Sequence, residues 1–241
     1  MIVLSIGTTH PWNVAGTGRD IVVGTAMGAR VFTAVAAVSA HDSGGVRALA
    51  PVDLPAFDAQ LDALPWQSAG SVRVGALPSA QHVGAIAARL RPRPDLPAVV
   101  DPVLRATLGG ALAGDDVAAA LSNLMLVLPG IILTPNLSEA AALLDAPAPA
   151  RDGMAAAAEA LLRRGLRAVL LKGGHLDGDP VDVLATRDGT ETFGDTRIAG
   201  RMRGTGCTLA IALACELARG ASVRHAVVEA RAYVRAQIAA R

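Results

Sequence analysis

Short apolar runs alternate with stretches of helical periodicity along most of this chain. Ile2–Ile6, Val31–Ser39, Ser71–Ala76, Ala98–Val103, Ile131–Thr134 and Ala168–Lys172 are bounded by glycine, proline or polar clusters and read as buried strands. Helices are predicted between them: Arg19–Met27 stopping at Gly28, Pro55–Ala63, Ser79–Leu90, Asp115–Val127, Ser138–Leu144 and Met154–Arg164. Ser79 and Ser138 are the expected N-caps of their helices. Val181–Thr186 and Glu191–Phe193 read as a hairpin across Asp188-Gly189. An apolar helix over 205–219 ends at Gly220, and a last one carries Val223, Val227, Ala230, Val234 and Ile238 on one face. Residues 7–18, 91–96 and 146–150 are connectors by composition, and 43–70 is mixed. The alternation predicts an α/β protein, a single three-layer α/β/α domain over 1–241 with a mainly parallel central sheet.

In such sheets ligands bind beyond the carboxyl ends of the strands. Polar clusters fall at those ends, at 7–18, 41–42, 101, 134–139, 172–175 and 203–207. That recurrence carries more weight than any one cluster.

Composition narrows the class. Of 241 residues 52% are hydrophobic but only 2% aromatic, so Ala, Val, Leu and Ile must build the core, as suits helices layered on a parallel sheet. A net charge of +1 with interspersed signs lacks the basic footprint of a nucleic-acid binder. The longest apolar tract, LMLVLPGIIL, is broken by Pro129-Gly130, so no membrane span is expected. MIVLSIGTTH has no positively charged start and reads as a first strand rather than a signal peptide. Cys207 and Cys215 lie eight apart on one helix and cannot bridge within it, which fits a reduced, cytoplasmic setting.

The segment RGTGCTLAIALACELARG (203–220) is where chemistry is expected. Gly204 and Gly206 flank Thr205 at the start of an apolar helix, so backbone N–H groups and the positive end of the helix dipole can face an anion. Cys207 falls on the first turn, where a thiol's pKa is expected to be lowered. A plain buried helix with a Gly-Thr start satisfies the same residues. A P-loop is excluded, because the only lysine, Lys172, follows Leu171 rather than glycine. The dinucleotide fingerprint fails as well, since Ile21 stands where a third glycine would follow Gly16 and Gly18.

Asn136 and Glu139 stand three apart at a helix start and suit a hydrated Mg²⁺, although helix capping is the simpler account of the same two residues. Asp101, before Pro102, is either a second magnesium- or phosphate-side carboxylate or a turn cap. Lys172 can reach transferring phosphates or snorkel at the surface.

DPVLRATLGG (101–110), LTPNLSEAAALL (133–144), VLLKGGHL (169–176) and RGTGCTLA (203–210), in this order and spacing, resemble the hydroxymethylpyrimidine/phosphomethylpyrimidine kinase family of the ribokinase-like superfamily. FTAVAAVSAHDSGGV (32–46) is similar to the family's third-strand block. The likeness covers nearly the whole chain. It implies an ATP-dependent kinase acting on the CH₂OH group of a small pyrimidine and then on the monophosphate, in thiamine biosynthesis. By the same resemblance Gly204, Thr205 and Gly206 form the anion hole. Cys207 is the candidate base, or else a positioning group. Asn136, Glu139 and Asp101 organise Mg²⁺, and Lys172, with Asp101 and Thr134, binds the ATP phosphates. The resemblance also implies a homodimer.

The substrate side departs from the family pattern. Its GSDPSGGAG-like run is replaced by TTHPWNVAG (8–16), with His10 for Asp, Trp12 for Ser and Asn13-Val14 for two glycines. His41 stands for a Gln that hydrogen-bonds the pyrimidine, and Ala76 for a Met that packs on its ring. His10, Asn13, His41 and Ala76 are therefore the expected substrate-side residues. Neutral imidazole offers a donor and an acceptor, as an amide does, but with a pH-dependent charge. The smaller Ala76 leaves room for Trp12 or for a larger substrate. Two further readings remain open: a kinase of another hydroxymethyl heterocycle such as a pyridoxal-like alcohol, and a non-catalytic pyrimidine-binding paralogue.

Overall fold

Nine strands form one sheet in the computed structural model, which describes residues 1–42, 45–106, 109–200 and 202–240. Ser43-Gly44 and Thr107-Leu108, parts of two of the resembling blocks, lie outside the described residues. The strands are β1 (Ile2–Thr9), β2 (Arg30–Asp42), β3 (Gly45–Pro51), β4 (Ser71–Val74), β5 (Ala98–Val100), β6 (Ile131–Leu133), β7 (Ala168–Lys172), β8 (Val181–Thr186) and β9 (Gly189–Gly194). The helices are α1 (Gly16–Ala26), α2 (Leu54–Ala63), α3 (Ala80–Leu90), α4 (Val117–Val127), α5 (Leu137–Leu144), α6 (Met154–Leu162), α7 (Thr205–Ala218) and α8 (Val223–Ala239).

The order across the sheet is β3-β2-β1-β4-β5-β6-β7-β8-β9. The run from β2 through β7 is parallel throughout, while β3 at one edge and the β8–β9 hairpin at the other pair antiparallel. Because side chains alternate across a pleated strand, each central strand feeds two cores. Leu4, Ile6, Val100, Leu133 and Leu171 face one apolar layer, to which α2–α6 contribute Phe57, Ile86, Leu121, Leu143 and Leu161. Val3, Val99, Ile132 and Leu170 face the other, built from α7 with Val23 of α1 and Val227 of α8. The expected α/β/α layering and mainly parallel sheet are what the chain forms. Among the described residues no helix is long and apolar enough to cross a membrane.

Four local expectations change. β1 and β2 run on to Thr9 and Asp42 because they pair with one another well past their apolar cores, as Thr9 opposite Val38 shows. The connector after β1 thereby shrinks to residues 10–15. β3 falls in the mixed 43–70 region: GVRALAP has no alternation of its own and is a strand because it zips onto the end of β2. The cap of α5 is Asn136, not Ser138. Its side chain accepts the Glu139 N–H at 2.9 Å while Glu139 accepts the Asn136 N–H at 2.7 Å, a reciprocal capping box. Ser79 occupies the N-cap position of α3 without a capping bond; its hydroxyl is 2.8 Å from His82 Nδ1.

Candidate active site

The carboxyl ends of β1, β2, β4, β5 and β7 and the N-terminus of α7 meet on one side of the sheet. Gly204 is the N-cap of α7, with φ of +73°, and no side chain caps the helix. The turn is held from outside itself. A Cβ on Gly204 would come within 1.9 Å of the Val14 carbonyl oxygen, so the loop after β1 lies directly on the turn and only glycine fits. Behind it, Arg19 Nε donates to Thr208 Oγ1 at 3.0 Å, and that hydroxyl donates to the Gly204 carbonyl at 2.9 Å. Thr205, Gly206 and Cys207 thus open a helix whose first amides are oriented and uncapped by side chains.

Lys172 reaches this turn from the end of β7. Its backbone N–H donates to Pro135 O at 2.8 Å, beside the isolated bridge to Asn136, so the 134–139 and 172–175 clusters are one wall. A Cβ at Gly206 would sit 3.4 Å from Lys172 Nζ and 3.9 Å from Asp101 Oδ2. Lys172 Nζ lies 2.7 Å from Asp101 Oδ1. Burial disfavours the ammonium, but Asp101 and then Glu139 outweigh it and hold the lysine above its ordinary range. Burial likewise works against the Asp101 carboxylate, and Lys172 and Arg73 reverse that and keep it below the usual carboxylate range.

Asp101 and Thr134, both expected on the phosphate side, are buried and bonded to one another. Asp101 is 1% exposed, and its oxygens already accept from Lys172, Arg73 and Thr134. Thr134 is wholly buried, its hydroxyl 3.4 Å from Asp101 Oδ1. Asp101 fixes Lys172, and Thr134 bonds to Asp101.

Arg73, which the pattern of its strand did not single out, is the hub of the site. It is fully buried, 3.1 Å from both Asp20 and Asp101, and its charge acts on the Cys207 sulfur. Asp20 also accepts from Ser5 Oγ at 2.6 Å, yet burial leaves its carboxyl raised above the ordinary value. The one available signal was a charged residue inside SVRV, a four-residue strand that is buried on both faces.

The thiol departs from expectation. Burial pushes the Cys207 pKa up, and Asp101 and Asp20 add to this, against the lowering effect of Arg73 and the Gly16 N–H. The surroundings of the helix start therefore hold the thiol above, not below, its ordinary range.

The substrate-side residues lie next to the turn. The His10 and His41 rings are 4.7 Å apart between centres. His10 Nε2 accepts the Ala15 N–H at 3.2 Å, and His41 Nδ1 is 3.0 Å from Ser39 Oγ. Asn13, at φ of +50°, lays its amide over the start of α1 at Gly18. Ala76 is buried at the end of β4. Trp12 is 52% exposed and stacks under the Arg203 guanidinium, 5.6 Å from the ring centre. Arg203 also donates to the Asp42 carbonyl at 3.1 Å, tying β2 to the phosphate turn.

Among the described residues no three His, Cys, Asp or Glu side chains cluster as a metal cage. Mg²⁺ is usually held by one or two carboxylates, with water and substrate phosphates completing its shell. Glu139 fits that description. It is 5% exposed, one oxygen is committed to the capping box, and burial raises its carboxyl to about 7 despite Lys172. Asn136 Oδ1 already accepts from both Glu139 N and Ser138 Oγ, which leaves Glu139 as the free donor of the pair.

The strand ends of this doubly wound sheet bring together a naked helix start, one lysine and one partly uncommitted carboxylate, a placement suited to phosphoryl transfer. Comparison with known proteins agrees. The family model for phosphomethylpyrimidine kinase matches residues 11–241. A hydroxymethylpyrimidine/phosphomethylpyrimidine kinase of Rhizobium meliloti is 39% identical over 252 residues, spanning 99% of this chain and 91% of its own. A thiamine biosynthesis bifunctional protein of Geobacter sulfurreducens is 36% identical over 98% of this chain and 49% of its own. The ADP complex of Bacillus subtilis pyridoxal kinase superposes with a TM-score of 0.88 at 26% identity, covering 99% of this chain and 91% of its own. The chain belongs to the phosphomethylpyrimidine kinase family, and is a phosphotransferase.

Proposed function

We propose that this protein transfers the γ-phosphoryl group of ATP to the hydroxymethyl oxygen of 4-amino-5-hydroxymethyl-2-methylpyrimidine, and a second one to the resulting monophosphate, in thiamine biosynthesis. The observation that carries this is the uncapped turn from Gly204 to Cys207 beside Lys172 Nζ. Phosphoryl transfer of this type depends on position and charge more than on covalent chemistry. The α7 amides receive the charge that develops on the travelling group, while Lys172, fixed by Asp101, neutralises the phosphate oxygens. Cys207 positions the acceptor hydroxyl with its protonated sulfur, and Arg73 sets where that sulfur sits. Glu139 would hold Mg²⁺, which when bound supplies charge neutralisation between the phosphates. The His10–Ala15 loop, Asn13, His41 and Ala76 enclose the heterocycle. The same reading makes the protein one catalytic domain and a cytoplasmic homodimer, which light scattering on the purified protein tests.

The deciding experiment is ADP release with ATP and Mg²⁺ across a panel of alcohols, with mass spectrometry of the products. Turnover of the aminopyrimidine alcohol to its mono- and diphosphate is expected. Turnover of pyridoxal alone would move the assignment to a pyridoxal-type kinase, a reading that the likeness to the pyridoxal kinase supports. Binding of the pyrimidine without ADP release would make the protein a non-catalytic relative.

A further inference from the structure

Two arginines are buried among the described residues, and they are held differently. Arg73 is paired with Asp20 and Asp101, whereas none of the ion pairs among the described residues includes Arg19. Arg19 is 8% exposed, and the carboxylate next to it in the chain, Asp20, is committed to Arg73 and Ser5. A cation taken out of water without a counter-charge is costly, so its place here asks for a reason beyond packing.

Its hydrogen bonds give that reason. Arg19 Nε donates to Thr208 Oγ1 at 3.0 Å, while Nη2 meets only the Met202 sulfur, at 3.9 Å. A hydroxyl carries one proton, and with Arg19 filling an acceptor position of Thr208 Oγ1, that proton goes to the Gly204 carbonyl, 2.9 Å away. The Thr208 N–H donates to the same carbonyl at 2.8 Å. Gly204 O is therefore gripped twice from inside the helix. A threonine back-bond of this kind is ordinary in helices; a buried guanidinium behind it is not. The Gly204 carbonyl and the Thr205 N–H belong to one planar trans peptide and point opposite ways. Holding the carbonyl toward Thr208 thus aims the Thr205 N–H out of the helix mouth, where no side chain caps it.

We propose that Arg19 is a positioning residue for phosphoryl transfer: acting through Thr208, it locks the Gly204–Thr205 peptide so that the Thr205 amide meets the charge developing on the transferring group. This rests on the kinase reading above and deepens it. The guanidinium also sets a fixed positive charge against the first turn of α7, in the same sense as the helix dipole. An anion held at the turn supplies the counter-charge that Arg19 lacks among its neighbours.

Arg19→Met and Thr208→Val each remove one link at nearly constant shape. Either should lower kcat by on the order of tenfold to a hundredfold and change KM for ATP by less than about threefold, because the amide is aimed at the transition state. Thr208→Ser keeps the hydroxyl and should recover most of the loss, and Arg19→Lys keeps a charged donor and should recover part. The double variant should be no slower than the slower single one, since both act on one peptide. A kcat unchanged in Arg19→Met, with the wild type active, defeats the inference and leaves the kinase assignment intact. Should Arg19→Met fail to fold, Thr208→Val against Thr208→Ser decides by the same readings. A second readout needs no turnover. In ¹H–¹⁵N NMR, inorganic phosphate should shift the Thr205 amide of the wild type, and shift it far less in Arg19→Met or Thr208→Val at the same concentration. An amide indifferent to phosphate in the wild type, or shifted equally in the variants, overturns the role of Arg19. A wild type that phosphorylates no alcohol defeats the kinase reading, and the titration still decides the aim of the peptide.

Discussion

The Val14 carbonyl oxygen occupies the space that a side chain on residue 204 would need, 1.9 Å from an ideal Cβ. Substrate loop and phosphate turn are therefore one packed unit, and the contact tolerates no insertion. Gly204→Ala should lower kcat/KM by at least about tenfold and destabilise the fold by about 1–3 kcal/mol, since both the positive φ and the overlap must be relieved. Steady-state kinetics and thermal unfolding of the variant check this. Unchanged values would mean that the loop moves freely off the turn.

Lys172→Met should cost about 10²–10³ in kcat/KM by removing charge from the phosphate site. It also leaves Asp101 buried with Arg73 as its remaining cationic partner, so stability should fall. Adding Asp101→Asn should restore part of that stability, with a coupling energy of about 1–3 kcal/mol in a double-mutant cycle by denaturant unfolding. Additive losses would disprove the link.

The Cys207 thiol should react slowly at neutral pH. Alkylation by iodoacetamide is expected to rise with pH through a midpoint above that of an ordinary cysteine, the direction set by burial and then by Asp101 and Asp20. If, as proposed, the group positions a hydroxyl rather than removing its proton as a thiolate, Cys207→Ser should keep activity to within about tenfold. A reactive thiol at pH 7 would reinstate the base.

Arg73→Met leaves buried Asp20 without its ion pair and Asp101 with Lys172 as its remaining cation, and should cost about 3–5 kcal/mol. Arg73→Lys should recover part of the stability but less of the rate, since an ammonium cannot span Asp20, Asp101 and Cys207 with a planar fork. Melting temperature and kcat for the two variants separate these effects.

Glu139 makes stability depend on pH in an unusual direction. Its folded value of about 7 lies above the ordinary 4.5, so the folded protein binds the extra proton in that interval. Stability should fall as pH rises from about 4.5 to about 7, by about 3 kcal/mol in all. Glu139→Gln keeps a capping-box acceptor and should flatten this slope, so it melts higher than wild type at pH 8 without Mg²⁺. Millimolar Mg²⁺ with nucleotide should raise the wild type in the same assay and the variant less.

How far the sequence alone reached depends on whether a feature is local. The parallel strands, the 203–207 turn and the polar strand ends are patterns within a few residues, and each stands where it was expected. β3 was not legible because its strand character comes from its neighbour β2. The cap of α5 was ambiguous because Asn136 and Ser138 are both good capping residues, and only the return bond from Glu139 decides between them. Arg73 and Asp20 lie far apart in the chain and meet inside the core, so no spacing rule joins them. The thiol was misjudged for the same reason: a helix start is visible in sequence, whereas the buried carboxylates around Cys207 are not.

Lys172 is the chain's sole lysine. Amine-directed chemistry therefore has one side chain to find, an ammonium paired with Asp101 at the mouth of α7 that should acylate slowly at neutral pH and faster as pH rises. Apart from the amino terminus, mass gained from such a reagent would count occupied and empty sites directly. Protection of that single amine by nucleotide would report saturation without a radiolabel or a coupled enzyme.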